Sequence, residues 1–193
     1  MKPLLLTSCK TNYSTDSIFI RPMKSQDLDQ VMNIERMSFS LPWPLSAYNY
    51  ELNENPHSLL WVAETDIIDG WKNEYDKQIV GMIVLWQIMD EAHIASLAVH
   101  PDCRGRGIAR DLLYVALKEA MRKGLSSATL EVRANNFAAQ HLYHHFGFEI
   151  VGCRPRYYRD NNEDGLIMTA KHLDETYLNW LESGSWKDQP GEE

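Results

Sequence analysis

The stretch Val99-His100-Pro101-Asp102-Cys103-Arg104-Gly105-Arg106-Gly107-Ile108-Ala109 joins a β-like run to a helical one through a glycine-rich turn. Glycine lets the backbone approach an anion closely, and a turn that opens a helix aims unpaired N–H groups and the positive end of the helix dipole at one point. Arg104, Arg106 and Arg110 at a helix start would oppose that dipole, so an anionic partner explains them better than surface charge does. By itself the turn would suit many phosphate ligands. It lacks both the spaced glycines of a dinucleotide fingerprint and the Gly-Lys-Ser/Thr end of a P-loop.

On either side of the turn the pattern predicts a strand over 92–99 and an amphipathic helix over 106–123, followed by a strand over 128–133. Strand, turn, helix, strand demands a parallel crossover, which makes the class α/β or α+β. Upstream, 18–22 reads as a first strand ended by Pro22, and 25–38 as a helix capped by Ser25. Leu28, Val31 and Met32 share that helix's inner face with Glu35. The Leu41-Pro42-Trp43-Pro44 segment stops it, a short helix over 45–53 follows, and strands over 58–63 and 79–88 are joined by a long polar loop from Asp66 to Asp76. Downstream come a helix over 136–146 ended by Gly147, strands over 148–153 and 165–170, and a last helix over 173–181. Residues 1–17 form an extension, 18–172 one domain, and 173–193 a helix with a frayed tail.

With 193 residues, 44% hydrophobic and 24% charged, the chain has the make-up of one globular domain. A net charge of -8 without a run of lysine or arginine argues against nucleic-acid binding and suits a basic protein or cationic substrate. Three separated cysteines, Cys9, Cys103 and Cys153, fit neither a disulfide framework nor a zinc site, so a reducing cytoplasm is the expected compartment. The start resembles a lipoprotein signal, but its apolar stretch is shorter than the roughly 7 to 15 residues required. The longest apolar run, 79–89, is broken by Gln87 and falls below the roughly 18 residues of a membrane span. A soluble protein with no membrane partner is expected.

Two further segments give the turn its context: Leu130-Glu131-Val132-Arg133-Ala134-Asn135-Asn136, and Ala138-Ala139-Gln140-His141-Leu142-Tyr143-His144-His145-Phe146-Gly147-Phe148. Together with Arg104 to Ala109, which fits a Q/R-x-x-G-x-G/A pattern at every fixed position, they resemble the GNAT acetyltransferase superfamily. Ile34-Glu35 with Phe39, Pro42-Trp43, and Arg156-Tyr157-Tyr158 before Glu163-Asp164 bring the likeness closest to the RimI-like N-terminal protein acetyltransferases. The resemblance spans roughly 18–170. It implies a mixed central sheet of six to seven strands with helices on both faces. It further implies acetyl-CoA as co-substrate, with pantetheine along Leu97, Ala98 and Val99. Its phosphates would rest on the turn from Arg104 through Gly105, Arg106, Gly107, Ile108 and Ala109 to Arg110, with Asn136 nearby. Glu131 would be the general base and Tyr143 the acid.

Side-chain chemistry agrees with such an acceptor. From reference pKa values, an α-amine is about 14% neutral at pH 7 and a lysine amine about 0.04%, so a modest base suits a protein N-terminus. Proton transfer from a phenol to a thiolate is uphill by about 2 kcal/mol, which favours hydrogen bonding by Tyr143 over full transfer. Backbone N–H groups at the end of the fourth strand could serve the oxyanion.

Pattern alone leaves blander readings open. Glu131 alternates with Leu130 and Val132 and by pattern alone reads as a solvated strand carboxylate, a reading the family resemblance reverses, and Tyr143 shares a helical stripe with Ala139, Leu142 and Phe146 as a core tyrosine would. Glu35, Tyr157 and Tyr158 either line a peptide groove or serve as a capping carboxylate and ordinary strand aromatics. His141 and His145 lack a third ligand, so no metal is expected. Cys103 is incidental to the turn and open to alkylation. The combined expectation is transfer of acetyl from acetyl-CoA to a protein N-terminus, that of a basic ribosomal protein, in a ternary complex. A small-molecule amine acetyltransferase and a non-catalytic acyl-CoA-binding module are the rivals.

Overall fold

The computed structural model describes residues 18–66 and 77–184. The extension before residue 18, the loop after Asp66 and the tail beyond 184 lie outside the described residues. Seven strands form one sheet in the order β1-β2-β3-β4-β5-β7-β6, with β1 at Phe19–Pro22, β2 at Ser58–Asp66, β3 at Lys77–Ile88, β4 at Glu91–Val99, β5 at Ser127–Arg133, β6 at Glu149–Tyr158 and β7 at Glu163–Lys171. Among the paired strands only β4 and β5 run parallel, and their connection is the expected crossover through the glycine turn and a helix.

Among the described residues five α-helices flank the sheet: α1 (Leu28–Ser38), α2 (Leu45–Asn53), α3 (Ile108–Arg122), α4 (Phe137–His145) and α5 (Glu175–Ser183). The apolar stripe of α3, Ile108, Leu112, Leu113, Ala116, Leu117 and Ala120, seals one face of the sheet together with Phe146, Phe148 and Leu181. On the other face α1 and α2 bring Val31, Ile34 and Tyr48 against Met82 and Val84 of β3. A central strand with both faces covered must be apolar throughout, and β3 is buried from Gln78 to Leu85. At Gly81 the approach of α3 is so close that an added Cβ would stand 3.0 Å from Ile108 and Leu112 side-chain carbons.

Several boundaries differ from those predicted, each for a local reason. Ser25 does not cap α1; it opens a 3-10 turn over Ser25–Asp27, and the Asp27 carboxylate accepts the Lys24 N–H at 2.8 Å. Helix α3 begins at Ile108 instead of 106, because Gly107 sits at φ 78, a left-handed conformation no helix contains. Helix α5 begins at Glu175 instead of 173, where Asp174 accepts the Tyr177 N–H. Strand β6 runs on to Tyr158 past an irregularity containing Arg156 at φ 52, whose N–H is met by the Asp164 carboxylate at 2.7 Å.

Arg21 fastens β1 to the domain, its guanidinium meeting Asp27 through both terminal nitrogens at 2.7 and 2.9 Å and Glu64 through Nε at 2.7 Å. Lysine keeps the charge but not the fork. Arg21→Lys is therefore expected to cost about 1.5–3 kcal/mol in urea unfolding, and an unchanged midpoint would show that the fork contributes nothing.

Candidate active site

β4 and β5 pair only from Glu91↔Ser127 to Ile94↔Leu130, and beyond that rung they separate. The parting coincides with a bulge: Val84 faces Ser96 and Leu85 faces Ile94, which leaves Ala95 as the extra residue on β4. A strand that leaves its neighbour presents unpaired backbone groups along one edge. Here that edge, Leu97 to Val99, forms one wall of a cleft of about 470 Å³ whose other walls are Gly105 to Arg110, the start of α4 and Phe39.

The floor of the cleft at the turn is built as an anion cradle. The Asp111 N–H bonds the Gly107 carbonyl, so the N–H groups of Ile108 and Ala109 ahead of it have no acceptor inside α3. Gly105 and Gly107, at φ 72 and 78, make the two reversals that turn the backbone toward the cleft. The arginines are less free than their spacing suggests. Arg104 donates through Nε to the Val99 carbonyl at 3.1 Å and through Nη2 to Ser38 Oγ, while Arg106 donates to the Asp102 carbonyl and Arg110 contacts Asp111. Arg104 thereby braces the end of β4 against α1. Cys103 lines the same cleft but is buried, and burial pushes its thiol up, against the alkylation expected from its position.

Asn136 and Tyr143 enter the cleft from α4. Asn136 caps that helix, accepting the Ala139 N–H at 3.2 Å. The Tyr143 ring packs on Phe148 with centroids 5.7 Å apart, and its hydroxyl has no hydrogen-bond partner among the described residues. The residue is buried with its ring in the core, and it also lines the cleft. Burial raises its pKa, which keeps the phenol protonated and makes it a hydrogen-bond donor in preference to a proton donor.

Glu131 is the first residue of β5 past the last rung, and it faces away from the core that holds Leu130 and Val132. Its Oε1 lies 3.1 Å from Arg154 Nη2 and its Oε2 lies 3.4 Å from His93 Nε2. Sequence reasoning passed over both partners. His93 alternates with core residues Ala92 and Ile94, a pattern that places it on the Glu131 face, but nothing in the sequence measures its distance from β5.

Next to Glu131, Arg133 pairs with Asp160 at 2.8 Å and Glu163 at 3.2 Å, and Asp160 also takes the hydroxyl of Ser40 from the α1–α2 loop. Two loops are thus tied to β5 beside the carboxylate. Tyr158 lies under the Arg133 guanidinium, 4.0 Å from the ring centroid, donates to the Glu131 carbonyl at 3.3 Å, and has its pKa pushed up to about 12 by burial. Tyr157 stands edge-on to it and is 41% exposed.

Glu35 takes the structural alternative. It is 1% exposed, accepting the Trp43 N–H and the Tyr48 hydroxyl at 2.9 Å each, so it pins the α1–α2 loop from within and cannot line a groove. Burial raises its pKa. A carboxyl whose pKa is higher folded than unfolded holds more protons in the native state, so stability falls as pH rises through that interval, upward from the ordinary value of 4.5. Glu35→Gln is expected to flatten this part of the stability–pH curve, and parallel curves for the two proteins would contradict it.

Residues 28–148 match the Acetyltransferase (GNAT) family. The chain belongs to the GNAT acetyltransferase family. As a GNAT enzyme it is 36% identical over 149 residues, 77% of its own length and 92% of the relative's, to a Bacillus subtilis protein named as a candidate ribosomal protein bS18-alanine N-acetyltransferase. The ribosomal protein bS18-alanine N-acetyltransferase of Escherichia coli K12 is 28% identical over 151 residues, covering 77% and 94% of the two chains. A crystal structure of the E. coli ribosomal-protein-S18-alanine N-acetyltransferase superposes with a TM-score of 0.68 at 27% identity, over 80% of this chain and 94% of that one. The NatC complex bound to Gag peptide and CoA aligns with a TM-score of 0.67 at 25% identity, over 80% and 98%. No helix among the described residues is long and apolar enough to cross a membrane.

Proposed function

We propose that this protein transfers the acetyl group of acetyl-CoA to the α-amine of a protein N-terminus, that of a ribosomal protein, by direct attack within a ternary complex in the cytoplasm. The observation that carries the reading is the position of Glu131 at the point where β4 and β5 part, two residues from Arg133, which ties two loops to β5. The named activities of the relatives support the acceptor class, and the net charge of -8 suits a basic partner.

The cleft fits acetyl-CoA on its own features: a helix-start cradle for the phosphates at one end and an unpaired strand edge for an extended, amide-containing arm along the side. When bound, acetyl-CoA supplies the activated acetyl thioester. Ile108 and Ala109 N–H groups, with Gly105 and Gly107 shaping the turn, hold the phosphates. The open β4 edge past Ile94 directs backbone donors at the carbonyl oxygen, where charge develops as the amine attacks. The Glu131 carboxylate supplies the negative charge that helps draw the proton off the acceptor ammonium, and the reference arithmetic for an α-amine asks little of it. Tyr143 offers its hydroxyl to the departing sulfur.

Because a buried phenol keeps its proton, Tyr143→Phe removes one hydrogen bond and no acid. About 1 kcal/mol, a five- to tenfold fall in kcat with unchanged acetyl-CoA affinity, is expected. A loss of a thousandfold or more would restore Tyr143 as a true proton donor. The reading as a whole is tested by acetyl transfer to peptides that differ at their first two residues, with blocked-terminus, lysine-only and polyamine controls. Transfer only to free α-amines is expected. Preference for the polyamine would overturn the acceptor class, and acetyl-CoA binding without turnover on any amine would favour a binding module.

A further inference from the structure

We propose that the acceptor's proton comes to rest on His93, with Glu131 as the group that orients the imidazole and stabilises its cation. This rests on the acyl-transfer reading above and assigns within it a residue the glycine turn and the strand motif do not include. The geometry is that of a pair. His93 stands opposite Thr129 in the parallel register, and Glu131, two residues further along β5, reaches back so that Oε2 lies 3.4 Å from Nε2.

The two oxygens of Glu131 have different neighbours. Oε1 meets the Arg154 guanidinium at 3.1 Å. A carboxylate anchored on one side has its second oxygen left to orient the imidazole on the other. An imidazole ordinarily titrates much closer to an α-amine than a carboxylate does, so it is the better match for accepting an ammonium proton near neutral pH.

The ring is also held in place. Its plane stacks on Trp86 at 5.7 Å and 14°, Trp86 stacks in turn on Trp43 at 5.7 Å and 15°, and the Trp86 indole N–H is anchored on Glu51 at 2.9 Å. Three aromatic rings from β4, β3 and the α1–α2 loop thus form one pile ending at Glu131. The His93 side chain keeps 18% exposure, enough for a proton or a water to reach it. The charged groups around it are Glu131 from β5, Arg154 from β6 behind that carboxylate, Glu51 from α2 behind Trp86, and Glu91 two residues earlier on β4.

In the step, the Nε2–H faces Glu131 and the Nδ1 lone pair takes a proton from the ammonium, directly or through one water, leaving a neutral amine and an imidazolium paired with the carboxylate. The amine nitrogen then forms the N–C bond to the acetyl carbonyl as the C–S bond breaks. A second proton from that nitrogen ends on the CoA sulfur, and the imidazolium returns its proton to solvent. The sum is ammonium plus thioester giving amide, thiol and one released proton.

Two substitutions separate this role from stacking. His93→Phe keeps the aromatic pile without a proton site, and His93→Gln keeps a polar partner for Glu131 without the ring. Both are expected to lower kcat about 10²-fold, with the acetyl-CoA KM within about twofold, and to change the acid limb of the kcat/KM profile. Added imidazole should recover part of the rate of His93→Gly. In the substrate-free enzyme, the His93 imidazole resonances followed by NMR should move once Glu131→Gln removes the carboxylate. Near-normal rate and pH profile in His93→Phe would reduce the residue to a stacking element and overturn the proposal, as would His93 resonances indifferent to Glu131→Gln. Failure of the wild type to acetylate any N-terminal peptide would instead sink the function on which the step depends, and the NMR comparison would still report whether the pair is in contact.

Discussion

Glu131→Gln is expected to lower kcat about 10²-fold on an N-terminal peptide while acetyl-CoA binds with near-normal affinity. The substitution preserves size and hydrogen-bonding shape, so the β4–β5 parting and the cradle are untouched. What disappears is a negative charge between Arg154 and His93, 3.1 and 3.4 Å from its oxygens. Whether the proton rests on the carboxylate or on the imidazole it steadies, the neutral amine is then harder to generate in place. The loss should shrink as pH is raised toward the amine's own pKa, because solution then supplies what the enzyme no longer does. Steady-state kinetics from pH 6 to 9 and calorimetry with acetyl-CoA make the check. Turnover equal to wild type would remove Glu131 from the chemistry.

Gly107→Val is expected to act at the glycine turn of the cleft. Valine at φ 78 is strained, which costs about 1–3 kcal/mol, and relief requires the turn to rotate its N–H groups off the phosphates. The new Cβ would also stand 2.9 Å from Arg110 Nη2, so the guanidinium must shift. The first contact is therefore with the arginine over the turn, and the backbone change carries the larger part of the effect. Acetyl-CoA affinity should fall ten- to a hundredfold, about 1.4–2.8 kcal/mol by calorimetry, with the protein still folded. Gly105 makes a useful comparison. No atom stands within 4 Å of a Cβ there, so Gly105→Ala isolates the φ effect without a clash. Wild-type affinity in Gly107→Val would contradict the placement of the phosphates on this turn.

Much of the sheet was legible because its strands carry their burial in their alternation. Leu130, Glu131 and Val132 announce one core face and one polar face, and the structure places them so. The elements whose ends were misplaced are those set by a single backbone conformation or a capping side chain: Gly107 at the start of α3, Asp27 ahead of α1, Asp174 ahead of α5. Glu35 shows the other limit. Helical periodicity places it on the inner face of α1, yet only the returning loop with Trp43 and the ring of Tyr48 explain why a carboxylate can be buried there.

The sequence by itself determined the class of fold, the anion-binding turn and the family resemblance, because glycine placement, alternation and helical spacing are local and survive in one dimension. Tertiary structure alone decided where β5 leaves β4, which arginines brace the turn, and what surrounds Glu131. Those depend on residues 23 to 120 positions apart meeting across the sheet: Arg133 with Asp160, Ser40 with Asp160, His93 and Arg154 with Glu131. Strand pairing brings such side chains within about 3 Å, where charge and orientation set reactivity, and no spacing rule along the chain encodes that distance.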